Sequence, residues 1–366
     1  MKIMLVITDL DYGGAEIQVV KLAKAFFNMG HNVSIVSIIK DKAFRQELEE
    51  YGISVISLDL KESTNIISAC IKFVRIVKNN APDIIHSHMY HANIFTRILK
   101  LFYLTIPIIS TAHSTNEGAG IRHILYRLTK YIPAMTTNVS RSSIEKYSLL
   151  GLVAPNKSTY MYNGIEIEDA TIKMGIEDRD IFRWIAVGRL VEDKDFCNLI
   201  YAVKNIHRLK SFELKIVGEG KDRPMLTSMI NTYGLQNHVK LEGHRDNIPE
   251  LLGQADAMVM SSRNEGLPMV LLEAGLQGLP IVATNVGGNA EVVVNRMGGY
   301  IVISENPVDL ANHMLKMMDL KTEQRLEMGQ FNNLHISKEF NINIIADKWV
   351  KMYESVLKNK SQQDNV

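Results

Sequence analysis

The chain is poor in the residues that staple or anchor a protein. Its 366 residues include two cysteines, Cys70 and Cys197, too few and too far apart for a disulfide framework or a cysteine zinc site. Formal net charge is only +1. No uninterrupted apolar stretch approaches the roughly 20 residues of a membrane span. The opening run K-I-M-L-V-I-T-D-L is too brief for a signal-peptide core and carries Asp9, with Asp11 straight after, so it is expected to be a short strand. These absences lead to the expectation of a soluble, cytoplasmic protein. What remains is ordinary globular usage, 46% hydrophobic and 22% charged, over a length that accommodates two domains with full cores.

Short apolar strands alternate with amphipathic helical patterns, first over 3–8, 33–38, 54–58, 84–86, 108–111, 135–138 and 159–162, with helices expected at 15–27 and 65–78. An acidic, aperiodic stretch at 166–182 is expected to be a linker. A second run of strands follows at 183–187, 214–217, 239–241, 257–260, 281–283 and 300–303, and helices are expected at 308–328 and 344–357. This is α/β winding with parallel sheets. The expected organisation is a Rossmann-like domain at 1–165, a second at 183–340, and a last helix at 341–366 crossing back to the first. Two doubly wound domains facing one another should form a cleft, with ligands beyond the carboxyl ends of the strands.

Charge is uneven along the chain. Residues 1–165 carry 18 Lys/Arg against 12 Asp/Glu, and residues 166–366 carry 23 against 28. Between Phe95 and Tyr131 the cations Arg97, Lys100, Arg122, Arg127 and Lys130 face only Glu117, with Phe102, Ile121, Leu125 and Leu128 interleaved. Such a surface suits anionic lipid, hence peripheral contact with the inner membrane face; the alternative is a solvated helix face. Nucleic acid is disfavoured, because no recognised binding motif accompanies the charge.

The most informative motif is E-G-L-P-M-V-L-L-E, between Glu265 and Glu273. Gly266 and Pro268 break the backbone, and Pro is favoured in a helical first turn, where its missing N–H costs nothing. A helix from Met269 to a stop at Gly278 and Pro280 leaves Glu265 in the preceding loop and Glu273 in an otherwise apolar turn. The helix N-terminus offers N–H groups and a positive dipole end to a phosphate. Carboxylates accept hydrogen bonds from sugar hydroxyls. Phosphate and sugar subsites in one loop point to a nucleotide-sugar.

Other motifs fall at strand ends. Gly13 and Gly14, in G-G-A-E, open the first helix, where paired glycines permit close approach of a ligand or merely make a turn. The dinucleotide fingerprint G-x-G-x-x-G is absent there and at Gly218-Glu219-Gly220, against a nicotinamide enzyme. V-G-R-L-V-E-D-K places Arg189 and Lys194 past a strand, suited to neutralising a diphosphate or, alternatively, paired on the surface with Glu192 or Asp193. His113, in S-T-A-H-S, suits a hydrogen bond to a sugar hydroxyl or departing phosphate. His86 and His88, in H-S-H, occupy the same kind of position; a loop-holding role is the alternative for His88. A metal set of His86, His88 and His91 lacks a carboxylate or cysteine at matching spacing, and no metal is expected.

In order, G-G-A-E, H-S-H, T-A-H, N-G-I-E, V-G-R-L-V-E-D-K, G-E-G and S-S-R-N-E-G-L-P-M-V-L-L-E-A-x3-G-x-P-I-V-A-T resemble the retaining glycosyltransferases of family 4, which have the two-domain GT-B architecture. The resemblance covers nearly the whole chain. It implies that the amino-terminal domain binds a glycan or lipid-linked acceptor, and the carboxy-terminal domain a UDP- or GDP-linked sugar as substrate, with no cofactor. It implies that Arg189 and Lys194 hold the diphosphate, that Glu265 contacts the donor sugar and Glu273 the ribose. In the loop Gly266–Val270, Gly266, Leu267, Met269 and Val270 would offer backbone N–H groups to phosphate and sugar, Pro268 would shape that loop on the donor, and His113 would lie against the donor sugar. Gly14 and Gly218 would line the donor site, Arg245 would lie near the base, and Gly13 and His88 would belong to the acceptor side.

The implied chemistry is front-face transfer of a hexose with retention, in which the leaving phosphate takes the acceptor's proton and no divalent cation is required. Two departures concern sugar preference: Asp195 stands where glycine is usual, and Asn264 where tyrosine is common. The alternatives are a sugar-nucleotide epimerase and a non-catalytic nucleotide-sugar binder. The first lacks reason for V-G-R-L with E-G-L-P, and the second tolerates losses that this chain does not show.

Overall fold

The computed structural model describes residues 1–11, 13–39, 43–60, 66–102, 104–167 and 181–364. Most of the expected linker, residues 168–180, lies outside them. The chain divides into two compact units, Met1–Glu166 with Asn341–Val366, and Ile167–Phe340.

In the first unit, β1 (Lys2–Ile7), β2 (Asn32–Ser37), β3 (Ser54–Ser57), β4 (Ile84–His88), β5 (Ile108–Ala112), β6 (Met135–Asn138) and β7 (Ser158–Tyr160) pair in the order β3-β2-β1-β4-β5-β6-β7. Every pairing is parallel. Side chains alternate across a strand, so Ile3, Leu5 and Ile7 enter one layer while Met4 and Val6 enter the other. Helices α1 (Gly14–Asn28), α2 (Arg45–Glu50), α3 (Ile66–Asn80), α4 (Tyr90–Phe102), α5 (Ile121–Thr129) and α6 (Arg141–Leu149) connect the strands. Val19, Leu22 and Phe26 of α1 cover the first layer, and Phe73 of α3 with Phe95 and Leu99 of α4 cover the second. With both faces covered, β4 and β5 are buried throughout, as parallel strands require.

In the second unit, β8 (Phe182–Val187), β9 (Phe212–Val217), β10 (Val239–Gly243), β11 (Ala257–Met260), β12 (Ile281–Thr284) and β13 (Gly299–Val302) form a parallel sheet in the order β10-β9-β8-β11-β12-β13. Helices α7 (Phe196–Ile206), α8 (Arg223–Thr232), α9 (Ile248–Gln254), α10 (Met269–Leu276), α11 (Asn289–Val292), α12 (Pro307–Asp319) and α13 (Thr322–Glu339) accompany it. Trp184, Leu214 and Ile216 pack against Leu199 and Val203 of α7 and Met314 of α12. The last helix, α14 (Ile342–Asp364), sends Ile345, Trp349 and Tyr353 into the α1 layer of the first unit.

Two expectations need correction. The single helix at 308–328 is two helices: Leu320 is extended (ψ 142°), and the Lys321 N–H starts α13 by donating to Gln324 Oε1 at 3.0 Å. That donor would otherwise be unsatisfied at a helix start. Arg97, expected on a basic surface, is fully buried. Its guanidinium donates to Ser110, Thr129 and Thr136 at 3.2–3.3 Å and lies over the Tyr126 ring at 4.9 Å, which is how a buried cation is tolerated. Among the described residues, no helix is long and apolar enough to cross a membrane.

Candidate active site

Strand order reverses once in each sheet, between β1 and β4 and between β8 and β11. At such a reversal the loops leave for opposite faces and open a crevice at the carboxyl edge. Most of the residues singled out in the sequence sit on these loops or on those of neighbouring strands, while His86 and His88 lie within β4 and Glu273 within α10.

In the second unit, the loop after β8 carries Arg189 and Lys194. Arg189 is exposed, and its side chain has no hydrogen bond or ion pair among the described residues. Lys194 ends a short 3₁₀ turn and folds its aliphatic stem toward Gly188, where an added Cβ would touch it at 3.5 Å. Its Nζ then lies 2.6 Å from Oε1 of Glu265, on the loop after β11. Ser262 Oγ donates to the same oxygen at 2.7 Å. Lys194 thus pairs across the strand-order reversal, not with its neighbours Glu192 or Asp193. Glu265 is only 8% exposed, and a carboxylate so buried is costly unless paired in this way.

The chain then runs through Gly266 and Leu267 to Pro268, which is the N-cap of α10 with extended backbone (ψ 123°), one position earlier than a first-turn proline. The first bond inside the helix is Leu271 N–H to Pro268 O at 3.1 Å, so the N–H groups of Met269 and Val270 have no partner within the helix. Glu273 follows one turn later, half-buried between Leu272 and Ala274.

A feature not singled out in the sequence braces this loop. The Gly288 N–H donates to Gly266 O at 2.7 Å, and Gly287, at φ 52°, lies so close that a Cβ would collide with the Glu265 carbonyl. The G-G step that follows Asn285 and Val286 past the end of β12 is the signal that the sequence offers. Gly218 is likewise demanded by packing: at φ 139°, its Cβ would collide with the carbonyl of Gly188. Arg245, past the end of β10, is exposed and paired with Glu242 at 3.0 Å.

In the first unit, β4 and β5 bring histidines together at the carboxyl edge. His88 Nδ1 and His113 Nε2 are 3.0 Å apart, and the His86 and His88 ring centroids are 4.0 Å apart with their planes tilted by 38°. Both nitrogens of His86 are engaged, Nδ1 with the Tyr353 hydroxyl and Nε2 with Thr111 Oγ1, each at 2.6 Å, which removes it from any metal set. Burial lowers the pKa of all three, that of His113 to about 4. At neutral pH they are therefore uncharged hydrogen-bonding groups. Among the described residues His88 Nε2 and His113 Nδ1 have no partner. Gly13 and Gly14 open α1, and the space beside Gly13 is filled by the Glu16 carboxylate of that helix rather than open.

Two family models match the chain, "Glycosyltransferase Family 4" over residues 12–169 and "Glycosyl transferases group 1" over 173–334. The chain belongs to the group 1, family 4 glycosyltransferases. An uncharacterised glycosyltransferase of Methanocaldococcus jannaschii is 28% identical over 289 residues, 77% of this chain and 78% of that protein. The amylovoran biosynthesis glycosyltransferase AmsD of Erwinia amylovora is 26% identical over 316 residues, 82% and 85% respectively. Among solved structures, Anabaena HepE with UDP-glucose superposes with a TM-score of 0.84 at 21% identity, covering 97% of this chain and 100% of that one. Its fold and this one are the GT-B pairing of two Rossmann-like units.

In this glycosyltransferase the departure at Asp195 has a structural reason. Asp195 is left-handed (φ 45°, ψ 48°), the conformation for which glycine is the usual choice, and aspartate is among the few others that tolerate it. Its carboxylate repays the strain by capping α7 at the Asn198 N–H (3.2 Å) and holding Arg263 Nε and Nη2 at 2.8 and 3.3 Å. Arg263 lies two residues before Glu265, so this pair ties the β8 loop to the β11 loop beside the Lys194–Glu265 pair.

Proposed function

We propose that the protein is a retaining, metal-independent hexosyltransferase that moves a sugar from a UDP- or GDP-linked donor to a hydroxyl of a glycan or lipid-linked acceptor in cell-surface polysaccharide biosynthesis. The observation that carries this is the Lys194–Glu265 pair, with Ser262 on the same oxygen and the N-terminus of α10 just beyond. A cation, a fixed carboxylate and the N–H groups of Met269 and Val270, unbonded within the helix, match a diphosphate joined to a polyhydroxylated ring. The UDP-glucose bound by HepE and the polymer in AmsD's name support the donor and pathway class.

In this reading Arg189, Lys194 and the N–H groups of Gly266, Leu267, Met269 and Val270 neutralise the diphosphate as its bond to the sugar's anomeric carbon breaks. The acceptor oxygen bonds to that carbon on the same face. Its proton passes to the departing phosphate oxygen, and a nucleoside diphosphate leaves. Glu265 and His113 hold sugar hydroxyls, with His113 as a neutral imidazole, and Glu273 holds the ribose. Gly14, Gly218 and Arg245 complete the donor side, and Gly13 and His88 the acceptor side. The test is incubation with radiolabelled UDP- and GDP-sugars, with and without membrane lipid extract. Nucleotide release that requires extract, with label in the extract, is the expected result. An altered sugar still on its nucleotide would indicate epimerisation instead, and binding without either would indicate a non-catalytic binder.

A further inference from the structure

Helices α4 and α5 lie side by side and run the same way. Arg122, at the start of α5, stacks over the Tyr90 ring at the start of α4 (4.7 Å), and Arg97, late in α4, bonds Thr129 at the end of α5 (3.3 Å). Their inner faces are spent on that contact and on the core, where Arg97, Tyr126 and Thr129 are buried. Their outer faces are apolar too. On α5, Ile121, Ile124 and Leu128 recur at i, i+3 and i+7, one stripe of the helix, and are 71%, 53% and 74% exposed. On α4, Ile98 and Leu101 are 42% and 59% exposed. A helix resting on a soluble core carries polar residues on that side, and an apolar stripe there marks an interaction surface.

The surrounding charge has one sign. Neither α4 nor α5 contains an acidic residue, and Glu117, between them in the chain, turns its carboxylate inward to the Tyr126 hydroxyl (2.6 Å) and the His113 N–H (3.1 Å). Arg127 flanks the stripe, exposed although its Nε also donates to Leu150 O at 3.1 Å, and Lys130, half-buried just past the end of α5, holds its ammonium over the exposed Tyr131 ring at 5.2 Å. We propose that this face docks on an anionic lipid bilayer, with α5 flat in the interface, its three aliphatic side chains at the acyl boundary and Arg127 and Lys130 among the headgroups. A second copy is the poorer occupant. A two-fold contact sets the same patch against itself, and this patch would meet its own cations with no carboxylate on either helix to receive them.

Flotation of the purified full chain tests this without donor or acceptor, so its failure leaves the transfer reading untouched. The protein should float with vesicles of phosphatidylcholine plus phosphatidylglycerol, and not with phosphatidylcholine alone. Reversing Arg127 and Lys130 to Glu should weaken that binding by more than about tenfold, given the share each cation contributes near an anionic surface. Replacing Ile124 and Leu128 by Ser should abolish it while circular dichroism and melting stay unchanged, because neither side chain is buried. Raised salt should weaken the wild type. Absence of flotation, flotation unmoved by both pairs of substitutions, or self-association in solution that Leu128→Ser abolishes would each overturn the proposal.

Discussion

The Lys194 ammonium and the Glu265 carboxylate, 71 positions apart in the chain, are joined at 2.6 Å across the point where the second sheet reverses its strand order. Each balances the other's charge, and each is aimed by its own loop: Lys194 by its stem beside Gly188, Glu265 by Ser262 and by Gly287 packed on its carbonyl. The pair is thereby preorganised before any ligand charge develops, which is where electrostatic catalysis gains most.

Lys194→Ala should therefore cost transition-state stabilisation of about 3–4 kcal/mol, the loss of one preorganised charge-stabilising group, or roughly two to three decades in kcat. Glu265→Gln keeps the shape and an oxygen for Ser262 and Lys194, so nucleotide affinity should stay near wild type while turnover falls. Steady-state kinetics with calorimetric titration of the nucleotide separates the two. Unchanged turnover in Glu265→Gln would remove Glu265 from the site.

Asp195 predicts an order of stabilities. Asp195→Gly relieves the left-handed backbone but loses the cap and the hold on Arg263, whereas Asp195→Ala loses both and keeps the strain. Caps are worth about 1 kcal/mol and a left-handed non-glycine residue costs about 1–2, so alanine should be the less stable by roughly 1–2 kcal/mol. The two tryptophans fall one in each unit, Trp184 and Trp349, and in a Trp349→Phe background the fluorescence of Trp184 reports the second unit alone. Urea unfolding followed that way checks the order; alanine matching or exceeding glycine would sink the strain account.

Much of this was legible in the sequence because strand ends at a parallel sheet's carboxyl edge announce themselves. The expected strands at 135–138 and 257–260 coincide with β6 and β11, and the others differ by a few residues at their ends. The motif around each marks Glu265 and Lys194 in the sequence, but nothing in their spacing says that they bond to one another. Arg97 was misplaced because arginine is a surface residue by default, and only the three hydroxyls and the Tyr126 ring converging from other elements make its burial tolerable. The break between α12 and α13 has no glycine or proline to mark it. Asp195 stands out in the sequence as a departure, but the left-handed backbone that explains it is set by the loop, not by the residue.

Acid should loosen the first unit. His86, His88 and His113 all have folded pKa values below the ordinary 6.5, by burial first, with His113 near 4. Above pH 6.5 neither folded nor unfolded chain holds these protons, and their contribution is constant. As pH falls below 6.5 the unfolded chain takes up protons that the folded one refuses, so stability drops until about pH 4 for His113. Glu117 opposes this, since burial raises its carboxyl pKa and the folded state accepts that proton the more readily. In a Trp184→Phe background, Trp349, whose ring is 4.4 Å from that of His86, reports unfolding. The loss between pH 6.5 and 5 should be smaller in His113→Asn than in wild type; equal slopes would show that His113 does not carry it.

Glu117 also has a mechanical task. Its Oε1 accepts from the His113 N–H at 3.1 Å and its Oε2 from the Tyr126 hydroxyl at 2.6 Å, above a ring that itself carries the buried Arg97 at 4.9 Å. Glu117→Gln retains one oxygen but not the charge that offsets Arg97, and Glu117→Ala retains neither. A buried donor left without its acceptor costs about 1–3 kcal/mol, so alanine should destabilise the first unit by that amount beyond glutamine. Because the same carboxylate fixes the backbone of His113, both variants should lower kcat with little change in nucleotide affinity, which the proposed function assigns mainly to residues of the other unit. Arg97→Met combined with Glu117→Gln should recover part of the stability, since no buried charge is then left uncompensated. Loss in the double variant equal to the sum of the single losses would show that the two charges do not interact through Tyr126.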